Sequence, residues 1–400
     1  MQVTHQQREM AIAPILRQAY RPLFLLGAAF SAVAILLWGL ALLGTISLPV
    51  YGNILFWHSH EMLYGFVVAI VLGFLLTAVQ NWTGLRAPHG PTLLILALLW
   101  SAGRLVMLFG QGLPWWLVIT VDVAVLPVAA VLFARLVLKA NQTRNLFFIP
   151  ILLLLAVTSA LMHAGLALNQ YEWQVLGAYS GIFLVTLLMV IIGGRVMPMF
   201  TANGTMTPKV APILWLDRLS VGSVWAIFIV HFFNLTLFIP DLCLGVLFAA
   251  AAVANAVRAA RWKFWLTWRV PLLWSLHIGY WFIPLGFGLL AAHYWGADLS
   301  RSTAMHALTA GAMGNMILAM MARVSLGHSG RPLKPKPIMS VAFLLMAVAA
   351  ILRVIFVSVW PELTIDWLLW SSVSWAVALA IFVVVYFKIF ITPRADGNPG

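Results

Sequence analysis

Three observations on this 400-residue chain predict an all-α integral membrane protein with twelve transmembrane helices. Hydrophobic residues make up 63% of it and charged residues 8%, against about 45–50% and about 25% in soluble domains. Twelve apolar runs of about 20 residues, enough to cross a bilayer, follow one another with short turns between them. The 23 Lys and Arg, against 10 Asp and Glu, gather in alternate connections. Lipid is therefore the solvent for most of the chain, and residues 1–400 read as a single polytopic membrane domain.

The spans are expected near 23–46, 54–79, 92–110, 114–136, 146–168, 173–194, 213–236, 241–258, 270–292, 303–322, 337–358 and 366–391. Turns such as Gly112-Leu113-Pro114 and Ile239-Pro240-Asp241 separate them. Arg17 and Arg21 precede span 1, Arg135, Lys139 and Arg144 lie between spans 4 and 5, and Arg258, Arg261, Lys263 and Arg269 join span 8 to span 9. All fall on one side, whereas the other side carries Arg301 among Glu172, Asp241, Asp298, Glu362 and Asp366. By the positive-inside rule both termini are expected in the cytoplasm. The net charge of +13 is then a topology signal, and no nucleic-acid partner is expected. Phosphate-binding glycine loops are absent, so no nucleotide is expected either. The single cysteine, Cys243, excludes an internal disulfide and a cysteine-based metal cluster.

Spans four apart share features. Arg21-Pro22, Arg144-Asn145 and Arg269-Val270 open spans 1, 5 and 9, at spacings of 123 and 125 residues. Thr83-Gly84, Asn203-Gly204 and Ser329-Gly330 close spans 2, 6 and 10. A gap-free offset of 246 superposes His60 on His306 and Gly65 on Gly311. Three units of four helices are expected, at 21–143, 144–268 and 269–391. Three such arcs resemble the haem–copper oxidase main subunit, at the level of fold only.

Ionisable groups within a membrane are costly and point to function. With the expected orientation, His58, His60, Glu61, His163, His231, His293 and His306 fall in the outer half, with Arg104, Asp122 and Arg353. Neutral imidazole suits haem iron and copper. The metal candidates are His58, His60, His231 and His306, and the cofactor candidates are His58, His60, His163, His306, Arg104 and Arg353. The arginines could meet haem propionates, although Arg104 and Asp122 could equally neutralise each other. On a helix His58 and His60 point about 200° apart, so they are expected to serve different partners. Glu61, Tyr64 and Asp122 are candidates for proton delivery, Glu61 alternatively being a helix cap. His277 could be a packing or proton-path residue.

The segments Phe56-Trp57-His58-Ser59-His60-Glu61-Met62-Leu63-Tyr64-Gly65, Gly194-Arg195-Val196-Met197-Pro198, Met305-His306-Ala307-Leu308-Thr309-Ala310-Gly311 and Met321-Ala322-Arg323-Val324-Ser325-Leu326-Gly327-His328 resemble the NnrS family over essentially the whole chain. The resemblance implies a twelve-span inner-membrane protein holding haem and copper, associated with denitrification and with tolerance to nitric oxide. The adjacent His-His pair and the His-Pro-Glu segment of oxidase copper sites are missing. From residues and resemblance together, one or two b haems and copper or another non-haem metal are expected. So is reduction of nitric oxide to nitrous oxide with electrons from quinol or another membrane donor. The alternatives are a non-catalytic protein that sequesters or senses the gas, or a haem or copper transporter.

Overall fold

A computed structural model describes residues 6–398. Twelve helices are long and apolar enough to cross a membrane, one for each run read from the sequence, and no strand occurs among the described residues. They are α1 (Tyr20–Leu42), α2 (Ile54–Thr83), α3 (Gly90–Phe109), α4 (Trp115–Lys139), α5 (Thr143–Ala167), α6 (Tyr171–Thr205), α7 (Leu214–Phe232), α8 (Asp241–Leu266), α9 (Pro271–Tyr294), α10 (Arg301–His328), α11 (Ile338–Val359) and α12 (Pro361–Ile391). Helices suit these long apolar runs, because in lipid a helix satisfies its backbone N–H and C=O groups within its own segment.

The chain divides into two compact units. The first takes residues 1–178, 321–336 and 379–400; the second takes 179–320 and 337–378. The division follows packing and cuts α6, α10 and α12, whereas the expected repeat units follow the sequence.

Within the first unit, α1 lies close along α2 because small residues face the contact. A Cβ on Gly27 would stand 3.0 Å from the Ile70 side chain, and one on Gly73 would stand 2.9 Å from the Phe24 ring. Lipid gives two apolar helices little reason to associate, so this close approach of backbones supplies the packing. Buried Arg21 donates to the carbonyls of Ile389, Phe390 and Thr392, at 2.8 to 3.2 Å, satisfying the C-terminal end of α12.

Within the second unit, Arg258 is buried, although its place in the sequence groups it with the basic connections. It pairs with Asp217 at 2.7 Å and donates to the Val190 carbonyl at 2.9 Å, while Tyr280 donates to Asn255 Oδ1 at 2.8 Å. Gly194 makes room for this guanidinium: a Cβ there would overlap it.

Among the described residues three spans contain a π segment, Leu352–Phe356 of α11 being one, and in α2 and α10 it is built in the same way. In α2, Asn53 Oδ1 accepts from the N–H groups of Leu55 and Phe56, and Ile54–His60 is α-helical. Glu61–Val67 is then a π-helix. In α10, Ser300 accepts from the Thr303 N–H, Arg301–His306 is α-helical, and Ala307–Met313 is a π-helix. The two wide turns stand at the 246-residue offset that superposes His60 on His306. After α2 and α10 come Gly84 at φ +71° and Gly330 at φ +70°, left-handed positions that a side chain would strain.

Candidate metal centre

The residues that converge most tightly come from four helices of the first unit: His60 and Glu61 from α2, Arg104 from α3, Asp122 from α4, and Ser159 and His163 from α5. His60, Glu61 and His163 are fully buried, Asp122 is 4% exposed and Arg104 is 6% exposed. Asp122 Oδ2 stands 3.2 Å from His60 Nε2 and 3.1 Å from His163 Nε2. The two imidazole rings lie 4.7 Å apart, centroid to centroid. Ser159 Oγ meets His60 Nε2 at 3.1 Å, and His60 Nδ1 lies 3.2 Å from Glu61 Oε1. Arg104 bridges the carboxylates, with Nη1 2.5 Å from Glu61 Oε1 and Nη2 bonded to Asp122 Oδ1.

Each position has a local cause. The wide turn starting at Glu61 alters the angular relation between His60 and the rest of α2, a distortion often found at functional sites. Ser159 and His163 are four residues apart and share one face of α5. Two glycines admit the polar groups: a Cβ on Gly65 would stand 2.6 Å from Arg104 Nη1, and one on Gly103 would stand 3.2 Å from Asp122 Oδ1. Tyr64, one turn beyond His60, donates to Thr158 Oγ1 at 2.9 Å and to the Gly177 carbonyl at 3.3 Å.

The donor set fits a metal ion. One ligand atom each from His60, Asp122 and His163 lie within 4.8 Å of one another. Ligands bound at about 2.0–2.2 Å to one ion stand roughly 3–3.5 Å apart, close to the separations of the Asp122 oxygen from both ring nitrogens. Two carboxylates and one guanidinium leave the site one net negative charge when both rings are neutral, which a cation offsets where water cannot. Glu61 Oε2, His163 Nδ1 and Arg104 Nε have no hydrogen-bond partner, so the protein alone does not use all of the site's bonding capacity. The close packing suits a bare ion; a porphyrin has no room among these side chains.

The remaining candidates lie elsewhere. His58 is half-buried and stacks on Trp38, with centroids 4.1 Å apart and planes at 22°, so it and His60 serve different neighbours. The other four belong to the second unit. His306 Nδ1 lies 2.7 Å from the Ser302 carbonyl, and Arg353 donates to Ser302 Oγ at 3.1 Å. His231 sits between the rings of Tyr179 and Phe183, and His293 accepts from Arg301 Nε at 3.0 Å. Arg104 takes the neutralising role weighed for it, shared between Asp122 and Glu61. Ser159 escaped the sequence reading; its spacing of four from His163 is the signal that could have found it.

A family model described as NnrS protein matches residues 14–394, and no curated protein matches the chain. The chain belongs to the NnrS family, whose membership suggests a membrane protein of the nitric oxide response and is associated with metal binding.

Proposed function

From that membership, we propose that His60, Asp122 and His163 hold one transition-metal ion, copper or another non-haem metal, at which nitric oxide is reduced to nitrous oxide. The observation that carries this reading is the convergence of two imidazoles and a carboxylate, at 3.1 to 3.2 Å, in a buried pocket of net negative charge. Two histidines with one carboxylate are a recurring ligand set of redox-active non-haem iron. When bound, the ion supplies a redox couple and a coordination position for the gas.

Joining two nitric oxide molecules into nitrous oxide and water takes two electrons and two protons. Glu61, whose Oε2 has no partner, is placed to hold and release one proton. Arg104 fixes both carboxylates with its planar fork and steadies whichever is ionised. Tyr64, tied to Thr158, orders the adjoining polar chain. Quinol is the proposed electron donor. His58 and His306 remain the proposed ligands for one or two b haems, with Arg353 for a propionate, and His231 remains a proposed ligand for a further metal. The proposed location is the bacterial inner membrane, both termini cytoplasmic.

The test is metal analysis with optical and electron paramagnetic resonance spectra of the detergent-purified protein, reduced by quinol and exposed to nitric oxide. Consumption of the gas with nitrous oxide appearing is the expected result. A stable adduct without product would replace this reading with sequestration or sensing. A protein devoid of metal after metal-replete growth would overturn it and bring transport forward.

A further inference from the structure

The two imidazoles of the α2 site are held differently from behind. Both turn Nε2 toward Asp122 Oδ2, at 3.2 Å for His60 and 3.1 Å for His163. The rear nitrogens are then the two Nδ1 atoms. His60 Nδ1 lies 3.2 Å from Glu61 Oε1, whereas His163 Nδ1 has no hydrogen-bond partner. Glu61 Oε1 also accepts from Arg104 Nη1, so a proton held by Glu61 sits on Oε2 and leaves Oε1 an acceptor. An acceptor behind the ring places the hydrogen on His60 Nδ1. The lone pair is thereby left on Nε2, the atom that faces Asp122.

A pairing between sequence neighbours needs a cause. Side chains one residue apart on an α-helix point about 100° apart and do not face each other. Here the α-helix ends at His60 and the wide turn starts at Glu61, and the two side chains meet across that junction. Ring packing does not tell the two histidines apart. Phe56 lies nearly parallel to the His60 ring, with centroids 5.7 Å apart and planes at 23°, and Tyr64 stands 5.0 Å from it. His163 has Tyr51 and Phe56, each at 5.7 Å. What separates them is the carboxylate behind one ring. Metal-bound histidines almost always donate their second N–H to a carboxylate, carbonyl or water, which fixes the tautomer, orients the ring and raises its basicity.

We infer that Glu61 is the positioning residue of the metal centre: its Oε1 holds His60 as the Nδ1–H tautomer with Nε2 aimed at the ion, while Arg104 holds Glu61. His163, lacking such a partner, is the more weakly held ligand. The inference rests on the metal reading above. It gives one oxygen of Glu61 a role separate from the proton proposed for the other.

The experiment loads the detergent-purified full-length protein with Cu(II) alone and reads its affinity by competition with a chelator, with no nitric oxide present. Pulsed electron paramagnetic resonance then reads the rear nitrogens of the bound imidazoles, whose signals report their hydrogen bonds. Wild type is expected to show two kinds of rear nitrogen, one of them lost in His60→Ala. Glu61→Leu should lower affinity by about 10–100-fold and move the His60 signal toward that of His163. Glu61→Gln keeps an acceptor oxygen and takes no proton, so it should restore both the affinity and the second signal, a rescue that mere misfolding would not give. Wild-type affinity and unchanged rear signals in Glu61→Leu would overturn the inference and leave the metal site standing. So would a Glu61→Gln protein as weak as Glu61→Leu, which would make charge, not orientation, the cause. A wild type that takes up no Cu(II) would overturn both readings. Two signals that depend on Glu61, in a protein inert toward nitric oxide, would support the positioning role while removing the reductase reading.

Discussion

The starts of α2 and α10 are built alike and equipped differently. Each has a side-chain cap, one or two turns of α-helix ending in a histidine, and a seven-residue π segment. After His60 comes Glu61; after His306 comes Ala307. The arginine of α3 grips two carboxylates, whereas Arg353 of α11 donates to a serine hydroxyl. The common part is backbone, and the difference is acid. A wide turn after a histidine thus serves as framework, and carboxylates convert one copy into a cluster able to hold a cation.

Removing the acid gives the largest expected effect. Asp122→Ala leaves Arg104 and two imidazoles short of their shared partner, and should cost about 3–5 kcal/mol, as expected for breaking a buried ion pair. Thermal unfolding in detergent, with metal content measured alongside, checks this; an unchanged midpoint would make the network incidental. Next come the histidines. His163→Ala should lower metal affinity by about a hundredfold or more, since changing even the outer partners of ligands costs about 10–100-fold. His306→Ala should leave the metal of the α2 site in place. Equal losses from both, read by metal titration, would erase the contrast between the two regions.

The matched glycines come third. Gly65→Ala sets a methyl 2.6 Å from Arg104 Nη1, and Gly311→Ala sets one 2.3 Å from the Phe282 ring. Overpacking of this sort costs about 1–3 kcal/mol, so both should unfold earlier, with only the first also losing metal. The smallest effect is expected from Ser302→Ala, which removes the hydroxyl that Arg353 contacts. Roughly 0.5–1.5 kcal/mol is expected from one hydrogen bond, with no change in metal content.

Much of this was open to inspection in the sequence. Every span announced itself, because about 20 apolar residues in a row have few other uses. The metal candidate His60, the cofactor candidate His163 and the acid Asp122 stood out because lipid makes any polar group conspicuous. Their meeting was not legible, since it depends on how α2, α4 and α5 are rotated about their axes, and rotation leaves no trace in an all-apolar helix. The same holds for the wide turns: Glu61–Val67 and Ala307–Met313 carry no composition that sets them apart from ordinary helix. The burial of Arg258 was hidden for another reason. Its partner Asp217 lies about 40 residues away in sequence, and the arginine looked like one more basic connection.

The wide turn in α2 also has a bearing on how this protein can change over time. Each residue added to a helix swings everything beyond it by about 100°, so a π segment acts as a phase setting between the two parts of a span. Deleting a single residue between 61 and 67 would leave twelve apolar helices and an unaltered hydropathy profile. It would also rotate His60 and Glu61 relative to the face that α2 presents from Val68 onward, and the cluster would come apart without any of its members having been replaced.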